Sequence, residues 1–178
     1  MEQDANRQVV IAGWRGATYR NNAPDASDKV FLNGTDGMGT YSLARQKVWG
    51  RVINTEPKNV NSCFTWDGAT VWVFGYKTES NSTSHAIKSG GKLEILGGIT
   101  NQTAFAHFPT TGVAILSVQD SQASASLHTD GFNQNIGYDF AVIDSKSSTV
   151  RQLPFDDLVP RPTRTHQTFM PLYVDAAP

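Results

Sequence analysis

Two glutamates and a lysine recur at matching places in the sequence and could carry acid–base chemistry. Glu56 and Glu79 each close a three-residue polar phrase, residues 54–56 and 77–79. If the two phrases lie in register on neighbouring strands, the carboxylates are about one strand spacing apart and Lys77 is near both. Such proximity would raise the pKa of one carboxyl group, which general acid–base catalysis uses. The alternative interpretation is a threonine ladder flanked by solvated charges, with Lys77 neutralising Glu79.

Aromatic and basic side chains nearby in the sequence form a second candidate site. Trp49 and Trp72 occupy equivalent places in two similar strands, and Arg51 follows Trp49 by two residues. An exposed indole can stack on a sugar ring, and an arginine can pair with a uronate carboxylate. We therefore take these three residues as candidate substrate-binding residues, and Glu56, Glu79 and Lys77 as candidate catalytic residues. The alternative is that the aromatic face lies under the C-terminal tail or against a partner subunit.

The sequence shows no pattern for a metal or a cofactor. The four histidines share no metal-ligand spacing, and no Cys/His cluster, phosphate-binding glycine loop or Gly-x-Ser-x-Gly turn is present. The single cysteine, Cys63, lies in an apolar aromatic strand and is expected to be a buried core thiol. We expect neither a metal nor a cofactor.

Composition indicates one globular β domain and excludes two classes of partner. The chain has 178 residues, a net charge of −1, and 15 Lys and Arg against 16 Asp and Glu. Without a basic run we expect no nucleic-acid partner. The N-terminal residues 1–6 are polar and the apolar runs are strand-sized, so no signal peptide is visible and no membrane partner is expected.

A repeated phrase predicts how these residues are positioned. Apolar strands begin at Lys47, Thr70, Lys92 and Gly112, at steps of about 23, 22 and 20 residues. Each is followed by a second short strand, in residues 63–68, 85–91 and 104–108. Two strands and their turns form one coil, so the sequence predicts an all-β, right-handed parallel β-helix (solenoid) with an irregular C-terminal tail. A β-sandwich is the alternative.

Alternation along the strands assigns side chains to the inside or the outside of the coils. The predicted interior consists of apolar residues at equivalent positions: Val48, Val71, Leu93 and Val113, then Val73, Ile95 and Ile115. The predicted outward columns are Trp49, Trp72, Glu94 and Ala114, beside Arg51, Phe74, Leu96 and Leu116.

The chain divides into three predicted parts. Residues 1–28 form an N-terminal cap or irregular first coil, residues 29–131 form the β-helix coils, and residues 132–178 form a C-terminal strand and a covering tail. The tail is too apolar for a free linker, yet its prolines disfavour a regular ladder. Covering the last coil would shield its unpaired backbone groups from solvent.

Three stretches of the chain carry a family resemblance. Residues 46–56, 71–79 and 90–98 resemble the closing coils of pectate-lyase-superfamily right-handed β-helix proteins, and Gly75-Tyr76-Lys77-Thr78-Glu79 is the most specific part. The resemblance implies the fold more firmly than an activity, because this fold supports lyases, hydrolases, epimerases and phage tailspikes. No stretch matches a catalytic motif of that superfamily.

Two functions follow from this resemblance. One is a polysaccharide-acting enzyme, a lyase or glycoside hydrolase, of which the chain is all or the C-terminal part. The alternative is a non-catalytic β-helix module for glycan binding or assembly, such as part of a phage tailspike. Either implies a polysaccharide partner, a possible homo-oligomer, and an extracellular or cell-surface location.

Overall fold

The computed structural model describes residues 1–4, 7–16, 18–21, 28–103, 112–130, 137–158 and 168–174. These residues form short and long β-strands and a single-turn helix, α1 (Phe155–Leu158), and no helix among them is long and apolar enough to cross a membrane. The strands are β1 (Glu2–Gln3), β2 (Val9–Ala12), β3 (Tyr19–Asn21), β4 (Lys29–Thr35), β5 (Tyr41–Ala44), β6 (Lys47–Thr55), β7 (Ser62–Asp67), β8 (Thr70–Ser80), β9 (Thr83–Lys88), β10 (Lys92–Gln102), β11 (Ala114–Gln119), β12 (Gln122–Asp130), β13 (Phe140–Lys146), β14 (Thr149–Pro154) and β15 (Thr168–Val174).

The strands stack into two sheets that wind as a solenoid. One sheet has the order β1-β3-β5-β7-β9-β11-β13-β14, and the other has the order β15-β12-β10-β8-β6-β4-β2. Successive strands within each sheet are parallel up to β13 and β12, because each strand pairs with its equivalent one coil later. The predicted parallel β-solenoid is confirmed, with about five turns. We call the sheets the even sheet (β2 to β12, with β15) and the odd sheet.

A bend divides the long strands of the even sheet. Gly34, Val52, Gly75 and Gly97 all have positive φ, between 50° and 92°, at equivalent places in β4, β6, β8 and β10. The strict alternation breaks there: in β8, Val73 and Tyr76 are both buried although three residues separate them. Glycine tolerates this left-handed backbone without steric cost, which explains its recurrence at the bend.

The interior stack of the even sheet confirms three predicted members and corrects the fourth. Val48, Val71 and Leu93 pair in register and are buried. The fourth member is Ala123, because Leu93 pairs with Ala123 and not with Val113. The prediction of Val113 was wrong because the next strand of this sheet begins 30 residues after Lys92, at Gln122, whereas the assumed repeat was about 20 residues.

The phrase at Gly112 therefore belongs to the odd sheet. Strand β11 pairs with β9 and β13, and Leu116 pairs with His85. Ile115 is buried but does not continue the Val73 and Ile95 stack, in which Ala125 takes the next place. Ala114 and Leu116 are buried rather than outward. Both assignments failed with the same register error.

The predicted second strands form the odd sheet. Strands β7 and β9 are in register, with Phe64 on His85 and Trp66 on Ile87. The third predicted second strand, residues 104–108, lies outside the described residues, and β11 occupies the corresponding place in the sheet. Phe64 and His85 stack at a centroid distance of 4.6 Å inside the coils. The aromatic core of the solenoid is thus a continuous column.

Antiparallel strands close the C-terminal end of both sheets. Strand β14 pairs with β13 as a hairpin, and β15 pairs with β12. The β15 ladder has a register shift between Ala125 and Leu127, beside Pro171, which cannot donate a backbone hydrogen bond. The C-terminal residues thus lie along the edge of the last coil.

Candidate functional site

The three candidate catalytic residues meet as an ion triplet beyond the bend of the even sheet. The Lys77 Nζ lies 2.5 Å from Glu56 Oε1 and 2.7 Å from Glu79 Oε1. The Lys77 side chain is 41% exposed, against 27% for Glu56 and 29% for Glu79. The predicted register is correct here, because Thr55 pairs with Thr78 and places the glutamates one coil apart.

The triplet matches the ion-paired alternative of the sequence interpretation. Partial burial by itself lowers the pKa of Lys77, but hydrogen bonds and charge attraction from Glu56 and Glu79 outweigh it and raise that pKa. Thr55, Thr78 and Thr100, on the opposite face of these strands, form a buried ladder beneath the charges. The lysine ammonium therefore bridges the two carboxylates and is occupied by them.

The charged row extends further than the sequence indicated. Asn54 donates from Nδ2 to Glu56 Oε1 at 3.3 Å and to Asp36 Oδ1 at 2.8 Å. Asp36 Oδ2 lies 3.4 Å from Arg15 Nε. Arg15 and Asp36 also form an isolated parallel bridge. Sequence reasoning missed Arg15 and Asp36 because they lie before the recognised repeat, with no strand pattern around them.

An aromatic column lies before the bend. Phe31, Trp49 and Trp72 pair in register on the outward face, and all three are partly exposed. Their ring centroids are 5.0 Å and 5.1 Å apart, with interplanar angles of 13° and 15°. Phe31 was missed, although Val30-Phe31-Leu32 has the same alternation as the strand containing Trp49.

Ring stacking within the column restricts what it can bind. Both faces of the Trp49 indole are covered, one by Phe31 and one by Trp72. Trp49 therefore cannot receive a sugar ring on its face. On Trp72 one face is covered by Trp49, and within the described part of the chain no ring stacks on the other. That open face of Trp72 is the stacking surface of the column.

A groove opens at this end of the column. It has a volume of about 340 Å³ and is lined by residues of three consecutive strands: Thr70, Val71, Trp72, Lys92, Leu93, Glu94, Gln122, Ala123 and Ser124. Trp72 pairs in register with Glu94, and Glu94 with Ser124. The groove exists because small residues of β12 replace the bulky outward side chains of earlier coils.

The bend separates the two candidate sites. Arg51 and Trp49 precede Val52, the residue with positive φ in β6, whereas Glu56 follows it. Arg51 is exposed and pairs in register with Phe74, which is 45% exposed. The predicted binding and catalytic residues thus lie on different segments of the same strands, and the structure does not bring Arg51 to the ion triplet.

Buried polar groups of the core are outside both sites. Cys63 is fully buried, as predicted, and burial raises the pKa of its thiol. His85 is also fully buried, and burial lowers its pKa to about 3. Its Nδ1 accepts a hydrogen bond from Trp66 Nε1 at 3.1 Å, which requires neutral imidazole. No group of His, Cys, Asp and Glu in the described ranges could hold a metal ion.

Comparison with family models, curated proteins and solved structures gives no match to this chain. What the structure defines is the class: the chain is a parallel β-solenoid with antiparallel closing strands. The resemblance to the pectate-lyase superfamily stays a prediction beyond that fold.

Proposed function

We propose that this β-solenoid is a glycan-binding module that binds an acidic polysaccharide, at an extracellular or cell-surface location. The observation that carries the proposal is the aromatic column Phe31–Trp49–Trp72, which is partly exposed on the outward face of the even sheet and ends in an open indole face. Indole faces are common partners of the apolar face of a pyranose because they combine a large contact area with a polar edge.

The charges beside the column support an acidic ligand. Lys29, Lys47 and Lys92 are exposed and lie on one register line, interrupted by Thr70, two residues before the aromatic column. Exposed Arg51 lies on the other side of Trp49. Cations on both sides of an aromatic column suit a sugar chain that carries carboxylates.

Binding is tested with purified protein and a panel of polygalacturonate, alginate and neutral dextran. We expect tryptophan fluorescence to change with the two acidic polymers and the affinity to fall as salt is raised. Trp72→Ala should weaken binding at least about tenfold, which corresponds to the loss of one stacking contact of about 1.4 kcal/mol. Met38→Ala removes a 60% exposed apolar side chain outside the column and serves as the control. No binding to any polymer by the unaltered protein would refute the proposal.

A second candidate function, polysaccharide lyase or glycoside hydrolase, is favoured by the Glu56–Lys77–Glu79 triplet. In a lyase reaction a base takes the C5 proton of a uronate, the C4–O bond breaks, a C4–C5 double bond forms, and the departing oxygen takes a proton. A carboxylate of the triplet would be the base. Ultraviolet absorbance detects the unsaturated product, and Glu79→Gln should lower the rate by about 10²-fold or more. Absence of new chain ends on all acidic polymers leaves the binding module as the function.

A further inference from the structure

We infer that the acidic glycan is held at the end of the aromatic column, with one sugar ring on the open face of Trp72 and its anionic group, or that of the next sugar, on Lys92. This inference rests on the proposed function and specifies its site. It places the ligand across the strands of the last coils, and not along the whole aromatic column.

The stacking geometry selects Trp72. Successive rungs of a parallel sheet are about 4.8 Å apart, and the rings of the column follow that spacing at 5.0 Å and 5.1 Å. The next rung carries Glu94 in place of an aromatic ring. A pyranose in the 340 Å³ groove can therefore continue the stack on Trp72, with Glu94 and Gln122 beside its hydroxyl groups.

A second depression continues from the first. Its volume is about 400 Å³, it shares Lys92 and Gln122 with the groove, and it is lined by Gly90, Gly91, Lys92, Asp120, Ser121, Gln122, Lys146 and Ser147. The two spaces together form one path over Lys92. The combined volume accommodates more than one sugar unit, so the anionic group lies within reach of Lys92 whichever unit carries it.

The state of the lysines selects Lys92 as the cation for this path. Lys77 is held by two carboxylates at 2.5 Å and 2.7 Å, so a uronate would have to displace one of them. Lys92 is exposed and forms no ion pair with any residue the structure describes. Glu94 lies two residues further along the same face and disfavours an anionic group on the stacked side of the groove. The anionic group is therefore oriented toward Lys92.

The test uses the full chain and the polygalacturonate of the binding assay. Lys92→Gln should weaken binding about tenfold and reduce its salt dependence, because one charge-assisted contact is lost. Lys58→Gln, at an exposed lysine outside the even sheet, is the charge-matched control and should change neither. Glu94→Phe should extend the aromatic column into the groove and abolish binding, while the melting temperature stays equal or rises.

The outcomes separate this inference from the proposed function. If the unaltered protein binds no acidic polymer, both are overturned. If it binds but Lys92→Gln and Glu94→Phe bind as well as the unaltered protein, while Lys29→Gln, Lys47→Gln or Arg51→Ala weaken binding, the glycan lies along the column and only this inference is overturned. If Glu94→Phe lowers the melting temperature, Lys92→Gln and its salt dependence decide alone.

Discussion

The aromatic column provides a quantitative test of its stacked geometry, independent of any ligand. Trp49 has a stacked neighbour on each face, whereas Trp72 has one. Each aromatic pair contributes about 0.5–1.5 kcal/mol beyond the area it buries. Trp49→Ala should therefore lower the free energy of unfolding by about 0.5–1.5 kcal/mol more than Trp72→Ala, because it breaks two stacked pairs rather than one.

A double-mutant cycle isolates the contact. Urea denaturation followed by far-UV circular dichroism gives the free energies of the unaltered protein, Trp49→Ala, Trp72→Ala and the double variant. We expect a coupling energy of about 0.5–1.5 kcal/mol for the Trp49–Trp72 pair. The same cycle on Phe31 and Trp72, which are two rungs apart, should be additive within about 0.5 kcal/mol. Additivity for Trp49 and Trp72 as well, or equal losses from the two single substitutions, would refute the stacked geometry.

Three further predictions concern the core, the bend and pH. Val71→Asp, at a side chain that is 1% exposed, should unfold the chain, because an unpaired buried charge costs several kcal/mol; loss of the far-UV β signal would show it. Val52→Gly should raise the free energy of unfolding by about 1 kcal/mol, because Val52 has a φ of 50° at a bend where its equivalents are glycines; a loss of stability would contradict the steric argument. His85 has a folded pKa of about 3, below its unfolded value of about 6.5, so its contribution is complete above pH 6.5 and is lost as the pH falls toward 3, at up to about 1.4 kcal/mol per pH unit. His85→Gln should make urea unfolding less dependent on pH over that range, and an unchanged pH dependence would rule this out.

The coils were predictable from the sequence wherever their lengths were regular. The alternation around Val48, Val71 and Leu93 fixed both the inward face and the register, because a one-residue slip would have exposed every apolar side chain. The prediction failed after Gln102, where 11 residues separate β10 from β11. A loop of that length shifts the period without altering the appearance of the next apolar strand, so Val113 was assigned to the wrong sheet.

The site was predictable in membership but not in arrangement. Register alone brought Lys77 to Glu56 and Glu79. Which partners a charge takes depends on side-chain conformation, and the sequence left both the catalytic and the ion-paired interpretation open. The mutual stacking of Trp49 and Trp72 likewise depends on ring orientation, which the alternation of a strand does not specify.

A solenoid uses most of its outward side chains on one another, and this determines where a ligand can bind. Each side chain within a column has an equivalent neighbour on the rung before it and on the rung after it, as Trp49 has in Phe31 and Trp72. Faces are left open only where a column changes its residue type. In the even sheet that change falls between Trp72 and Glu94, at the same coils where β12 brings small residues and Lys92 is exposed. An aromatic surface, acceptor groups and a cation thus coincide at one discontinuity of the repeat, and the regular coils on either side hold them in place.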